Sequence, residues 1–96
     1  MLFLTICKDK PDSLDLRTSN RPAHLDYLNA LGSKVKIGGA LLGPDLATPG
    51  GSMLIYEAEN EDEVRKLVAD DPYSRVGLFE KTTITPWRQG VGHVLA

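Results

Sequence analysis

Residues 14–31 carry the pattern that most constrains how this chain can fold. They follow the 3.6-residue period of a helix, and one face of that helix combines two cations, an imidazole and two leucines: Arg17, Arg21, His24, Leu28 and Leu31. A face that is cationic at one end and apolar at the other is unusual for plain core packing. It predicts a helix whose second half seals a core while its first half lines a polar cavity.

Pro22 leaves two arrangements of this helical segment open. An interior proline removes a backbone hydrogen bond and clashes with the preceding turn, so one long helix would kink there. In the other arrangement, a first helix ends near Thr18 and a second begins with Ser19 or Asn20 as its N-cap. His24 would then lie close to a helix N-terminus, where the helix dipole disfavours the imidazolium and leaves a neutral base.

The other segments predict one mixed domain. Alternating apolar residues indicate strands at 2–7, 34–42, 52–59 and 78–87, and a second helix begins after Asn60 and breaks at Pro72. The β-α-β-β-α-β order predicts an α+β, ferredoxin-like fold, with one antiparallel four-stranded sheet and both helices on one face. Since 96 residues suffice for a single core, residues 1–96 form one domain.

Residue types predict several details of these elements. Asp12 or Ser13 is expected to cap the first helix, and Asn60 the second. The turn-rich loop 43–51 is a candidate lid or rim for a cavity, and residues 74–77 form a short turn. Three side chains of the second strand are expected to point inward, namely Val35, Ile37 and Leu41.

The predicted helices cover only one face of the sheet, but the strands provide apolar side chains for both faces, such as Phe3, Leu54 and Leu78. An exposed apolar face of that size is typical of a partner interface. It predicts a homodimer in which two sheets bury these faces against each other, with Trp87 in that interface or in the core. The tail 89–96 is expected to be loosely ordered or docked on a partner.

Composition and charge exclude several functional classes. The net charge is −2 and the basic residues are scattered, so neither nucleic acid nor a membrane surface is an expected partner. The apolar run 1–7 is too short for a signal sequence or a membrane span. One cysteine, Cys7, fits a reducing compartment and a buried apolar role, so we expect a soluble cytoplasmic protein. No His, Cys and acid cluster has metal-ligand spacing, so no metal is expected.

Several short motifs, spread over nearly the whole chain, resemble the YCII-related (YciI-like) family. They are Asp9-Lys10-x-Asp12-Ser13-Leu14-x-x-Arg17, Arg21-Pro22-Ala23-His24-Leu25, Gly43-Pro44, Gly51-Ser52, and Asp71-Pro72-Tyr73 followed by Gly77. The resemblance implies a dimeric α/β-barrel related in fold to muconolactone isomerase. It also implies an active site built on a His and Asp pair, which maps onto His24 and Asp71. A dehydrochlorinase-type elimination on a chlorinated hydroxyquinol ring has been associated with this family.

Both members of this pair also have a structural explanation. His24 is either a pocket residue or a core histidine bonded to the backbone, and the two arginines on its face favour the pocket. Asp71 either caps the turn that Pro72 begins or pairs with His24, and one carboxylate can do both.

The remaining candidates concern ligand binding. Arg17 and Arg21 either hold an anionic substrate through forked hydrogen bonds or pair at the surface with Asp12 and glutamates. Ser52 either donates to a ligand or is a turn residue beside Gly51.

The sequence therefore predicts a small cofactor-independent enzyme. Neutral His24, held in one tautomer by Asp71, would act as general base or acid on a small anionic or phenolic substrate. The reaction would be an isomerisation or a dehydrochlorinase-like elimination, with the substrate bound by Arg17, Arg21 and Ser52. The alternative is a non-catalytic small-ligand-binding or dimerisation module.

Overall fold

The computed structural model describes residues 1–94; Leu95 and Ala96, the end of the tail expected to be loose or docked on a partner, lie outside the described residues. The elements are β1 (Leu2–Asp9), α1 (Leu14–Leu31), a 3₁₀ turn (Gly32–Lys34), β2 (Val35–Leu42), β3 (Pro49–Glu57), α2 (Glu61–Asp70), α3 (Pro72–Arg75) and β4 (Phe79–Trp87). The expected strands and helices are all present, with shifts only at their ends. The first half of the turn expected at 74–77 is instead the end of the short helix α3, because Pro72 is well suited to a first helical position; the turn itself is limited to 76–77.

The four strands form one antiparallel sheet in the order β2-β3-β1-β4. The predicted α+β, ferredoxin-like fold is therefore confirmed. None of the helices in residues 1–94 has the length and apolar character needed to span a bilayer.

Alternation along β1 determines which face of the sheet carries the core. Phe3, Thr5, Cys7 and Asp9 are buried, and the cluster that Phe3 and Cys7 join extends to Leu54 and Tyr56 of β3 and to the apolar stripe of α2. Two leucines from the second half of α1, Leu28 and Leu31, pack against the same cluster. This half of α1 therefore seals the core, as its pattern predicts.

The second face of the sheet is apolar and no helix of the described chain covers it. On β1 it carries Leu2, Leu4 and Ile6, and the strand register places four neighbours from the other strands beside them: Ile37, Met53, Ile55 and Trp87. Ile6 is 39% exposed and Ile37 is 47% exposed. We refer to these seven residues as the open face.

α1 is a single helix that contains Pro22, so the arrangement with two helices is wrong. Proline removes only one backbone bond, to the carbonyl of Thr18, while both halves of α1 keep their inward face on the sheet. In the turn before Pro22, Ser19 and Asn20 donate side-chain hydrogen bonds to preceding carbonyls. His24 therefore lies in the middle of the helix, where the dipole argument for a neutral base does not apply.

The helix caps agree only in part with expectation. Asn60 caps α2 as predicted, because its side chain accepts the N–H of Glu63 at 2.9 Å. Ser13 occupies the N-cap position of α1, but its hydroxyl donates to the Pro11 carbonyl instead, at 3.2 Å. Asp12 makes no cap either: its backbone turns into the left-handed region, with φ at 56°.

Of the three β2 side chains expected to point inward, only Val35 packs against the core. The strand register shifts between Val35 and Ile37, so the extra residue turns the following side chains to the opposite face. Ile37 and Leu41 are consequently exposed rather than inward. The loop that follows is a tight turn in which the carboxylate of Asp45 accepts from Ala47 and Thr48.

Candidate functional site

The junction between α2 and α3 positions a buried carboxylate. Asp71 has the extended backbone expected before proline, with φ −61° and ψ 132°. Its Oδ1 accepts the backbone N–H of Tyr73 at 2.9 Å, which caps α3. The cap orients the carboxylate toward α1.

His24 of α1 meets this carboxylate. Its Nδ1 lies 2.8 Å from Oδ1 of Asp71, and both side chains are buried. Asp71 therefore caps a helix and contacts the imidazole at the same time, which reconciles the two alternatives left open by the sequence. The described residues provide no partner for the other ring nitrogen, Nε2.

Tyr73 fixes the plane of the imidazole. The two rings stack with their centroids 3.8 Å apart and their planes 13° from parallel, and Phe79 packs edge-on against Tyr73. Burial raises the pKa of Tyr73 despite the opposing effect of Arg17 and Arg21, so its ring stays neutral. Sequence reasoning did not assign Tyr73 to the site, although it follows Pro72 in a quoted motif.

Arg17 is buried and forms an ion pair with Asp9. Its Nε donates to Oδ2 of Asp9 at 2.7 Å and its Nη2 to Oδ1 at 3.1 Å. Burial acts to lower the pKa of Arg17, but the hydrogen bonds and charge of Asp9 raise it above its ordinary value. The alternative in which Arg17 pairs with Asp12 or glutamates at the surface is therefore wrong.

Asp9 is a site residue that the sequence analysis missed. The available signal was the alternation of β1, which places Asp9 on the same face as Phe3, Thr5 and Cys7. A carboxylate on a core-facing position requires a counter-ion or hydrogen bonds.

These side chains surround a cavity of about 440 Å³ between α1 and the β2–β3 half of the sheet. Of the predicted site residues, Arg17, Arg21, His24 and Ser52 line it, and Asp71 lies behind His24. Backbone from Gly38 to Ala40 forms part of the opposite wall. The loop 43–51 does not line this cavity, so its expected role as lid or rim is not supported; it turns back on itself through Asp45.

The other candidate groups lie outside the cavity. Cys7 is buried as predicted, and burial raises the pKa of its thiol, which keeps the sulfur protonated. Trp87 is half-buried on the open face, and His93 is exposed. Within residues 1–94 no three His, Cys, Asp or Glu side chains form a metal-ligand group.

The sequence model of the YCII-related domain matches residues 1–88. The chain is 32% identical over 96 residues to Protein YciI of Escherichia coli, covering 93% of this chain and 98% of that protein. It is 37% identical over 75 residues to the derivative of benzaldehyde biosynthesis cluster protein C of Emericella nidulans, covering 69% and 76%.

Solved structures with the same fold include an enzyme complex. The 5-chloro-2-hydroxyhydroquinone dehydrochlorinase of Burkholderia phenoliruptrix, in complex with 2,5-dihydroxybenzoquinone, superposes with a TM-score of 0.85 at 44% identity, covering 94% of this chain and 96% of that one. An antibiotic biosynthesis monooxygenase superposes with a TM-score of 0.55 at 12% identity, covering 95% and 100%, which shows a shared fold alone.

Proposed function

The chain belongs to the YCII-related domain family, and we propose that it is a small cofactor-independent enzyme that moves a proton with His24 and Asp71. The observation that carries this proposal is the 2.8 Å contact between Nδ1 of His24 and Oδ1 of Asp71 beside a cavity that His24 lines. A histidine oriented by a carboxylate is a common general base.

The hydrogen bonds of Asp71 determine which nitrogen acts. As a carboxylate, Asp71 only accepts, so the neutral imidazole carries its proton on Nδ1 and keeps its lone pair on Nε2. When Nε2 takes a proton from the substrate, the resulting imidazolium is stabilised by the negative charge of Asp71. Tyr73 keeps the ring plane from turning because it stacks on the imidazole.

Two reactions need no more than this proton transfer. In an isomerisation, the proton taken by Nε2 returns to a different atom of the same molecule. In an elimination, Nε2 takes the proton, and the electron pair of the broken bond to hydrogen forms a new double bond. The bond to the leaving group breaks at the same time, and the leaving group departs with that bonding pair as an anion. For a chlorinated substrate the sum is loss of one proton and one chloride. No electron acceptor is consumed in either case.

We propose a small anionic or phenolic molecule as the substrate, bound in the cavity that Arg17, Arg21 and Ser52 line. Two observations support this class: the cationic and hydroxyl groups on the cavity wall, and the dihydroxybenzoquinone held by a dehydrochlorinase that is 44% identical to this chain.

The open face supports assembly into a homodimer. Its apolar residues belong to all four strands of the sheet, and no described helix covers them. Two copies that pack these faces together would bury on the order of 1,600 Å² or more in total.

Chloride release from a chlorinated hydroxyhydroquinone tests the catalytic proposal. We expect the wild type to release chloride and His24→Ala to lose at least about 100-fold in rate, the usual contribution of a general base. His93→Ala is the matched control, because His93 is exposed and does not line the cavity. Thermal stabilisation by 2,5-dihydroxybenzoquinone without turnover would instead favour the non-catalytic ligand-binding module.

A further inference from the structure

The positive charge of Arg17 is largely neutralised by Asp9, so it contributes little to binding a ligand. The guanidinium donates two hydrogen bonds to Asp9, at 2.7 and 3.1 Å, and Arg17 and Asp9 are both buried. The pair is therefore close to neutral as seen from the cavity. The remaining bond of the guanidinium runs from Nη2 to Oγ of Ser52, at 2.7 Å.

This bond determines what the hydroxyl of Ser52 can do. Because Oγ accepts from Arg17, its own proton must point elsewhere. Ser52 is only 3% exposed, and residues 1–94 provide no acceptor for that proton. Leaving a buried donor without a partner is costly. Ser52 lines the same cavity as His24, so a bound molecule can accept this hydrogen bond.

The cavity also contains one cation that is not neutralised. Arg21 lines it one turn of α1 after Arg17, its side chain is exposed, and no described residue forms an ion pair with it. A hydroxyl donor without a partner and an unpaired guanidinium that line the same cavity suit an oxygen that carries negative charge.

We propose that this site binds its ligand as an oxyanion, a phenolate or enolate, whose charged oxygen accepts a hydrogen bond from Ser52. Asp9 and Arg17 are positioning residues that hold Ser52 in its donor orientation, and Arg21 supplies the positive charge. The inference rests on the proposed function only in that both concern the same cavity. It adds that Ser52 donates a hydrogen bond to the negative charge that remains on the substrate after His24 removes a proton.

The preference of the site for an ionised phenol tests this assignment without requiring turnover. The probe is 4-nitrophenol, whose neutral and anionic forms absorb at different wavelengths, so binding of each form is measured in one pH titration. We expect the wild type to bind the anion more tightly, so that the bound probe ionises at lower pH than the free probe. Ser52→Ala should lower this preference by about 10-fold or more, the usual effect of losing a hydrogen bond to a charged group.

The control variants separate orientation from general damage. Ser52→Thr keeps a hydroxyl and should retain most of the preference, and Asp9→Asn should lower it in part, because Arg17 is then less firmly held. Ser19→Ala removes an exposed hydroxyl that does not line the cavity and should change nothing. If Ser52→Ala does not fold, the Asp9→Asn and Ser52→Thr variants still decide the question.

Two results would overturn the proposal: no binding of 4-nitrophenolate by the wild type, or an anion preference unchanged in Ser52→Ala. The catalytic proposal fails separately. His24→Gln should abolish turnover while leaving the anion preference in place, because Ser52 and Arg21 are untouched. An inactive wild type that still prefers the anion would contradict the catalytic role of His24 and support the oxyanion site.

Discussion

Nδ1 of His24 and Oδ1 of Asp71 lie 2.8 Å apart although 47 positions separate them in the chain. The same carboxylate oxygen accepts the N–H of Tyr73, whose ring stacks on the imidazole. One residue thus begins α3 and orients the proposed base. A change that breaks the cap is therefore expected to disturb the base as well.

Replacements of Asp71 should separate these two roles. Asp71→Asn keeps an oxygen that can cap α3, so its free energy of unfolding should stay within about 1 kcal/mol of the wild type. Its turnover should nevertheless fall by at least about 100-fold, because the imidazolium loses its counter-charge. Asp71→Ala should lose turnover and also about 1–3 kcal/mol of stability. Denaturant unfolding and chloride release measure the two effects; equal stability of both variants would contradict the cap.

The buried ion pair between Asp9 and Arg17 should be sensitive to removal of one partner. Asp9→Ala leaves a buried guanidinium unpaired, which is expected to cost about 3 kcal/mol in the free energy of unfolding. Lys66→Ala is the matched control: it breaks the exposed pair with Asp70 and should leave stability almost unchanged. Denaturant unfolding at fixed protein concentration compares them. A similar small loss in both variants would show that the Asp9–Arg17 pair is not desolvated.

The three tyrosines should make the protein less stable in alkali. Burial raises the pKa of Tyr27, Tyr56 and Tyr73, that of Tyr27 to about 12, whereas unfolded tyrosine ionises near about 10. The unfolded chain therefore loses phenolic protons first as pH rises. Below about pH 10 these tyrosines should not change the free energy of unfolding. Above about pH 10 the free energy of unfolding should fall, because the unfolded chain ionises more readily than the folded protein. Phenolate absorbance measures this: ionisation of all three at the ordinary pH in the folded protein would contradict it.

The open face should control the oligomeric state. Ile6→Asp places a charge on the open face, at β1, and should convert the proposed dimer to a monomer at micromolar concentration, because an unpaired charge in an apolar interface is costly. Leu46→Asp is the matched control, since Leu46 is 81% exposed in the β2–β3 turn and lies outside the open face. Light scattering measures the mass of each. A monomeric wild type would refute the dimer.

Much of the fold follows from patterns within short segments of the sequence. The period of two along β1 and the period of 3.6 along α1 place residues on faces, and each depends only on neighbours along the chain. The cap of α2 by Asn60 is equally local. The same reasoning failed for the first cap, because the backbone at Asp12 and Ser13 is set by the connection from β1 to α1 rather than by side-chain preference.

The second strand shows where local alternation stops being informative. Val35 and Ile37 should share a face by sequence, but the register shift between them sends Ile37 to the open face. Such an irregularity is set by how β2 pairs with β3, and the residues of β2 alone do not specify it. A similar limit applies to loop 43–51, whose turn at Asp45 directs it away from the cavity.

The candidate site also has a part that the sequence predicts and a part that only the tertiary structure sets. By itself the sequence determined that Arg17, Arg21 and His24 share one helix face and that Asp71 precedes a proline, because both follow from local backbone geometry. Only the tertiary structure decided that Asp71 contacts His24 and that Asp9 neutralises Arg17. These contacts join segments far apart in the chain. Their distances depend on how the helices pack on the sheet, which is a property of the whole core and is encoded in no single segment.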